Sequence, residues 1–543
     1  MNISCEKGRQ EKSTRTPGRH AWGSGTHRCC RDAVTINCYL PDSSCQRRRH
    51  HRAGGSPGAG NFLLTRLPTT SIFRPLGLTQ ATYASGNNNR MQPSKITDLA
   101  SRHRSTANDA AAASPLASEP AASAPLAVTN SSASGGRDLR QRGVPLLDIP
   151  RENAPLGDEL QAAMHAVCQS GRFVMGPECE QFEQEIAAYC QVKHAIGCAS
   201  GSDALLLALM ALDIQAGDEV IVPSFTFFAT ASAVTRLGAV PVFVDIRPDS
   251  FNLCPTQVAR AISPRTKVII PVHLFGQAAE MNSLNALAHQ HGLRVVEDAA
   301  QAIGACYHDQ ALGTWGDIGC FSFYPTKNLG GFGDGGMLTT NDDSLADRLR
   351  LLRTHGMRPR YYHREVGINS RLDTLQAAIL SVKLRQLPAW TEARRRHALR
   401  YAELFAQAGL SGDLELPAEL PGCRHVWNQY TLRVRGGKRD ELREYLQDKK
   451  IGTEIYYPVP LHQQDCFRSL HPAKQLLPVT ERLAKSVLSL PVFPALTMDE
   501  QDAVVQAIAA YFQRQPGSSR HRPAGAHLPP MPESPIAPAS HNV

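Results

Sequence analysis

Four short apolar runs recur between residues 219 and 299, each dense in β-branched residues: EVIVPS (219–224), VPVFVDI (240–246), KVIIPVH (267–273) and LRVVEDA (293–299). Helical stretches such as ALLLALMAL (204–212) and MNSLNALAHQHG (281–292) lie before and between them. A strand wetted on one face would alternate apolar with polar residues, and these do not. Continuous apolar strands separated by helices predict an α/β fold with a large, mostly parallel sheet covered on both faces.

That pattern is bounded. Residues 1–143 are rich in Ser, Arg, Gly, Ala and Thr, with tracts such as TANDAAAASPLASEPAASAP (106–125), and show no useful periodicity. Such a segment buries too little apolar surface to offset the entropy of ordering. It is expected to be a disordered basic extension, with an over-long start of translation as the alternative and Met91 as one later start. The Pro-rich tail, 515–543, is expected to be disordered for the same reason. Between them, 144–390 reads as the large domain. A long helical region follows residue 372 and is interrupted near Pro388. Residues 391–514 then read as a smaller α+β domain, with strand-like NQYTLRV (428–434) and EIYYPV (454–459) and a closing helix, DEQDAVVQAIAAYFQ (499–513).

The net charge of +9 does not belong to the folded part. Residues 1–144 hold 20 Lys and Arg against 8 Asp and Glu, whereas the remainder holds 38 against 41. A basic tract such as QRRRHHR (46–52) therefore reads as a solvated arm, and no nucleic-acid partner is expected. The 14 cysteines include no C-x-x-C pair. Five lie in the first 45 residues; the core thiols, scattered from Cys168 to Cys466, read as small buried apolar groups in a reducing compartment. No signal-peptide pattern and no membrane-length apolar run is visible, so a cytoplasmic protein without a membrane partner is expected.

Three places could carry chemistry. In ASGSDALLLAL (199–209), Ser200, Gly201 and Ser202 open a helix, which makes either an ordinary cap or an anion site. In VVEDAAQAIGA (295–305), Asp298 ends an apolar strand, where ligands of open α/β sheets collect, and Gln301 follows. In FSFYPTKNLGGFGDGGM (321–337), Gly331, Gly333 and Gly336 imitate a dinucleotide fingerprint, but MLTTND after them reads as a strand and turn instead of a helix start. Lys327 fits another use. A desolvated lysine has a lowered pKa and can form a Schiff base with pyridoxal phosphate, which also requires a carboxylate at its ring nitrogen and an anion site for its phosphate. Lys327, Asp298 and the Ser200–Ser202 helix start supply that set, and Ser322 could add a phosphate hydrogen bond. Phe321, Phe323 and Tyr324 read as core. His273, at a strand end, is as readily structural as functional. Tyr361, Tyr362 and His363 either touch a substrate or pack a loop.

Together with PSFTFFATASAV, PVHLFGQ, GINSRLDTLQAAIL and YYPVPLHQQ, these motifs make the chain from Val144 to Phe512 resemble the DegT/StrS family of nucleotide-sugar aminotransferases. The resemblance implies the fold-type-I, aspartate aminotransferase-like architecture, with pyridoxal 5′-phosphate as cofactor. It implies Lys327 as the Schiff-base lysine and Asp298 as the carboxylate on the pyridine nitrogen. Gln301 would bond the ring hydroxyl and Phe227 would stack on the ring. Gly201, Ser202 and Ser322 would hold the phosphate, and Asn369 would reach it from the neighbouring subunit of a homodimer. Arg371, Tyr457 and His462 would lie near the substrate. Relatives that act as sugar dehydratases carry histidine at the lysine position, so Lys327 favours transamination. The implied reaction passes an amino group, usually from glutamate, to a keto group of a nucleotide-linked sugar in polysaccharide or amino-sugar synthesis, with a lean to a 3-keto over a 4-keto sugar. A regulator that has lost its chemistry is the alternative. Phe275 stands where tyrosine is common in the family, and Ser202 where threonine is.

Overall fold

The computed structural model describes residues 142–470 and 476–514. The expectations for 1–143 and for the tail therefore lie almost wholly outside the described residues. Strands β1 (His194–Cys198), β2 (Glu219–Pro223), β3 (Val240–Val244), β4 (Thr266–Ile269) and β5 (Arg294–Asp298) are followed by a short hairpin, β6 and β7 (Cys306–Tyr307 and Gln310–Ala311), then β8 (Ile318–Ser322) and β9 (Gly336–Thr340). Seven of these form one sheet in the order β1-β9-β8-β5-β4-β2-β3. Only β9 runs against its neighbours; the other pairings are parallel.

The continuous apolar runs follow from helices on both faces. Val220 and Val222 of β2 pack with Leu205 and Leu207 of the helix Gly201–Ala211, whereas Ile221 between them packs on the other side with Phe182 and Leu284. All three β2 side chains are fully buried. Each such side chain contributes about 1.5–3 kcal/mol when removed from water. Because β1, β2, β5 and β8 are parallel, their C-terminal ends emerge along one edge of the sheet. Ser200, Ser224, Asp298 and Ser322 all stand at that edge, where the chain leaves the strands.

A second core surrounds an antiparallel sheet, β10-β12-β13, formed by Leu414–Glu415, Tyr430–Val434 and Val487–Leu490; β11 (Cys423–Arg424) pairs with β6 instead. Tyr401, Tyr430, Phe493 and Phe512 fill that core. Pro388 sits in the first turn of the helix Leu387–Gln407, so the helical region is interrupted as expected. That helix crosses position 390 unbroken. At the other end, Val144 pairs with Ile451 and belongs to the second core. NQYTLRV supplies β12, but EIYYPV is a loop whose backbone joins the sheet through a bridge from Glu454 to Ser489. Among the described residues no helix is long and apolar enough to cross a membrane.

Candidate active site

The edge where the parallel strands end opens into a cavity of about 530 Å³, within the range of small-molecule sites. β5 places Asp298 at its base, 5% exposed. The Thr230 hydroxyl donates to Asp298 Oδ2 at 2.8 Å, and the Ala300 N–H reaches Oδ1 at 3.3 Å. Burial nevertheless raises the Asp298 pKa, outweighing these bonds and the attraction of Lys327. Among the described residues the Asp298 carboxylate forms no ion pair, and its hydrogen-bond donors are the Thr230 hydroxyl and the Ala300 N–H. The neighbouring Glu297 points to the opposite side of the strand. It accepts backbone N–H groups from Gly313, Trp315 and Gly316 at 2.7–2.8 Å and pairs with His273 at 2.9 Å. His273 is therefore structural.

Lys327 stands in the turn after β8. Its N–H donates to Tyr324 O, and Asn328 beside it is tied to the Val426 carbonyl and to Asn428. Burial pushes the Lys327 amine down to about 8, against the pull of Asp298. Lys327 Nζ donates to no other group among the described residues, and it faces the cavity. Gln301 is oriented from behind. Its Oε1 accepts the Phe275 N–H at 2.7 Å, so the Nε2 group is the one turned to the cavity, where it donates to the Tyr457 hydroxyl at 3.1 Å. Both Phe275 and Tyr457 hold positive φ, at 60° and 63°.

At the other end, Ser200 caps the helix Gly201–Ala211 through a bond from the Asp203 N–H. The first N–H groups of a helix have no partner within it and favour an anion. A Cβ on Gly201 would lie 2.7 Å from Ser322 Cβ, so only glycine lets this helix start close against β8. That contact brings Ser202 and Ser322 to one wall. Phe227 projects over the mouth, 60% exposed.

The structure therefore gathers Gly201, Ser202, Phe227, Asp298, Gln301, Ser322, Lys327 and Tyr457 around one cavity. Asn369, Arg371 and His462 do not line it. Asn369 is exposed and bridges Thr354. His462 faces away: its ring meets Ser224 Oγ at 2.7 Å and Glu481 at 3.3 Å, which pins the Tyr457 loop to the end of β2. Tyr324 is not core. The chain leaves β8 at Ser322, so Phe323 turns inward while Tyr324 turns out to the cavity, 52% exposed. Thr230, Gln429, Tyr456 and Asp334 also belong to the site and were not foreseen. Thr230 lies in the first turn of the helix Ala229–Arg236, and its hydroxyl also meets that of Thr226, in the loop before the helix, at 3.1 Å.

Pyridoxal phosphate fits these groups. A buried carboxyl short of positive charge suits a protonated ring nitrogen, the Gln301 amide offers a donor, and hydroxyls with a helix start suit a phosphate. Comparison with known proteins agrees. The DegT/DnrJ/EryC1/StrS aminotransferase family model matches residues 155–509. A pleiotropic regulatory protein of Geobacillus stearothermophilus is 50% identical over 371 residues, 68% of this chain and 99% of that one. A UDP-N-acetyl-3-dehydro-alpha-D-glucosamine 3-aminotransferase of Acidithiobacillus ferrooxidans is 47% identical over 365 residues, 67% of this chain and 96% of that one. The crystal structure of S. venezuelae DesV in complex with a ketimine intermediate superposes with a TM-score of 0.65 at 45% identity, covering 68% of this chain and 99% of that one. The chain belongs to the DegT/DnrJ/EryC1/StrS family and is a pyridoxal phosphate-dependent aminotransferase.

Proposed function

We propose that the protein transfers an amino group from glutamate to the C3 keto group of a nucleotide-linked sugar, in the synthesis of an amino sugar for a polysaccharide or secondary metabolite. The observation that carries this is a cavity in which Lys327, Asp298 and Gln301 converge beneath a mouth lined with hydroxyls and aromatic rings. The 3-dehydro sugar in the name of the Acidithiobacillus relative supports position C3. When bound, the cofactor supplies an aldehyde that carries the amino group and a ring that accepts electrons. The chain's own groups do the rest. Asp298 holds a proton on the ring nitrogen, and Gln301 donates to the ring hydroxyl. Lys327, with a pKa near 8, takes the proton from the α-carbon of the amino donor as general base, a role worth about 10²–10⁴-fold in rate.

The protein acts as a homodimer in the cytoplasm, with Asn369 and Arg371 serving the partner's site. Support for a second copy comes from consecutive exposed residues Phe173, Val174 and Met175, each at least 40% exposed, tied by backbone to Asp373 and Thr374 just beyond Arg371. The regulatory name of the Geobacillus relative favours a second reading, a regulator without catalysis; the complete catalytic set argues for the enzyme. The deciding experiment supplies glutamate and a panel of UDP- and dTDP-linked 3-keto and 4-keto sugars, and follows 2-oxoglutarate. Formation with a 3-keto sugar is expected. No 2-oxoglutarate with any sugar, in protein that has taken up cofactor, would overturn the proposal.

A further inference from the structure

His462 is a buried titratable ring that the chemistry above leaves unused. Its side chain is 4% exposed and is not among those that line the cavity. Its hydrogen bonds nevertheless define one protonation state. The Ser224 hydroxyl oxygen accepts the His462 backbone N–H at 3.2 Å, which frees the hydroxyl proton for ring Nδ1 at 2.7 Å. The ring proton therefore sits on Nε2, which faces Glu481 at 3.3 Å. Glu481 is fixed in turn by the Leu477 N–H at 3.1 Å. Burial lowers the His462 pKa from its ordinary value, against the pull of Glu481 and Asp245, in keeping with a neutral ring.

What the ring holds is the loop that carries Tyr457. Pro458 and Pro460 lie between Tyr457 and His462, and their fixed φ stiffens the link. Leu461 is buried and donates its N–H to Ser224 O at 2.9 Å. A shift of Tyr457 therefore pulls on residues 461 and 462. The positive φ of Tyr457, 63°, is strained for such a residue and persists only where neighbours over-determine it. They do so here. The Tyr457 ring stacks on Phe275 at 6.5 Å and meets Phe225, the residue after Ser224, edge-on at 5.5 Å. Two members of this stack hold Gln301. The Phe275 N–H fixes its Oε1, and the Tyr457 hydroxyl takes one of its two Nε2 hydrogens, which leaves the other for the cavity.

We propose that Ser224, His462 and Glu481 are positioning residues that act through Tyr457 to keep the second Gln301 N–H turned toward the cofactor's ring hydroxyl. This rests on the role given to Gln301 above. A donor at that oxygen favours its deprotonated form, so losing the donor raises the pH midpoint of the bound cofactor's visible band. The midpoint is titrated spectrophotometrically in holoenzyme. Gln301→Leu sets the full rise, expected at about one pH unit. His462→Phe and Ser224→Ala should move the midpoint in the same direction by less. His462→Asn, whose amide oxygen still accepts from Ser224, should return most of the way to the parent. In a Tyr457→Phe background His462→Phe should add nothing, because the connection is already cut. Thr480→Val loosens the same helix from Asp245 without touching the His462 ring, so it should lower stability and leave the midpoint in place. A parental midpoint in both His462→Phe and Ser224→Ala overturns the proposal, as does an equal rise in Thr480→Val or a full added rise on Tyr457→Phe. A parental midpoint in Gln301→Leu overturns the role of Gln301 instead and leaves transamination untouched.

Discussion

Two lysines in this molecule meet nearly the same electrostatics and have different fates. Lys327 stands at the cavity and Lys383 in the core beside it, on the helix Thr374–Leu384. Burial pushes each amine down to about 8, and each is opposed by one acid: Asp298 for Lys327, Glu152 for Lys383. Burial raises the pKa of both acids as well. The difference lies in what the nitrogen touches. Lys383 Nζ donates to the Gly330 carbonyl at 2.5 Å and lies over the rings of Phe332 and Trp390 at 5.7 and 5.8 Å. Lys327 Nζ has a cavity in front of it. A depressed pKa therefore marks desolvation; a reagent requires an open side as well.

The largest effect that could break this comparison comes from Lys327→Ala. It should remove transamination, a loss of at least about 10⁴-fold when base and attachment point go together. Borohydride, which should fix the cofactor to residue 327 in the parent, should leave this variant unlabelled by mass spectrometry. Residual labelling at Lys383 would mean that the core lysine is also accessible.

Lys383→Met should act on stability instead. The Gly330 carbonyl loses its donor inside the core, at a cost of about 1–3 kcal/mol in urea unfolding. Although Gly330 closes the turn that carries Lys327, the Lys383 amine does not face the cavity, so activity should fall only with the folded fraction. A specific loss in well-folded protein would show that the second lysine also tunes the first.

Sequence alone separated these lysines only partly. Lys327 was legible because glycines and a bulky apolar run flank it, an arrangement with few structural uses. Lys383 was invisible, being one residue in a helix, VKLRQ, whose burial depends on contacts from distant segments. The same limit applied elsewhere. The parallel sheet could be read because unbroken apolar strands must be covered on both faces, and helices between them supply that cover. The pairing of Val144 with Ile451 could not, since it joins residues far apart in the chain. His462 was misplaced because a motif fixes position along the chain but not the direction of a ring. Tyr324 was misassigned because alternation was extended past the residue where β8 ends.

Thr230→Val tests the acid that faces the cavity. It removes a bond to a charged group worth about 1.5 kcal/mol, so the Asp298 pKa should rise further and turnover should drop about tenfold at neutral pH. No such bond partner is shared with Glu152, so stability should change little beside Lys383→Met. An unchanged turnover would mean that Asp298 keeps its proton balance without the threonine.

The smallest effect is a change of slope with pH, and it tests whether the amines are truly alike. In cofactor-free protein each lysine has a folded pKa near 8 against an ordinary value of 10.5. Below 8 both folded and unfolded chains hold the proton, and the penalty for burying it is fully present. Between about 8 and 10.5 the unfolded chain binds more protons, so these groups make stability rise with pH. Buried thiols and phenols such as Cys190 and Tyr189, both pushed up to about 12, act in the opposite sense at higher pH, because the unfolded chain ionises first. The net curve mixes both signs, but differences between variants do not. The stability of the parent relative to Lys383→Met should grow from pH 8 to 10.5, and relative to Lys327→Ala it should grow alike. With cofactor bound, only the Lys383 difference should persist. A flat Lys383 difference would mean that its amine keeps its charge against the Gly330 carbonyl and the two rings, and that hydrogen bonding, not only access, separates the two lysines.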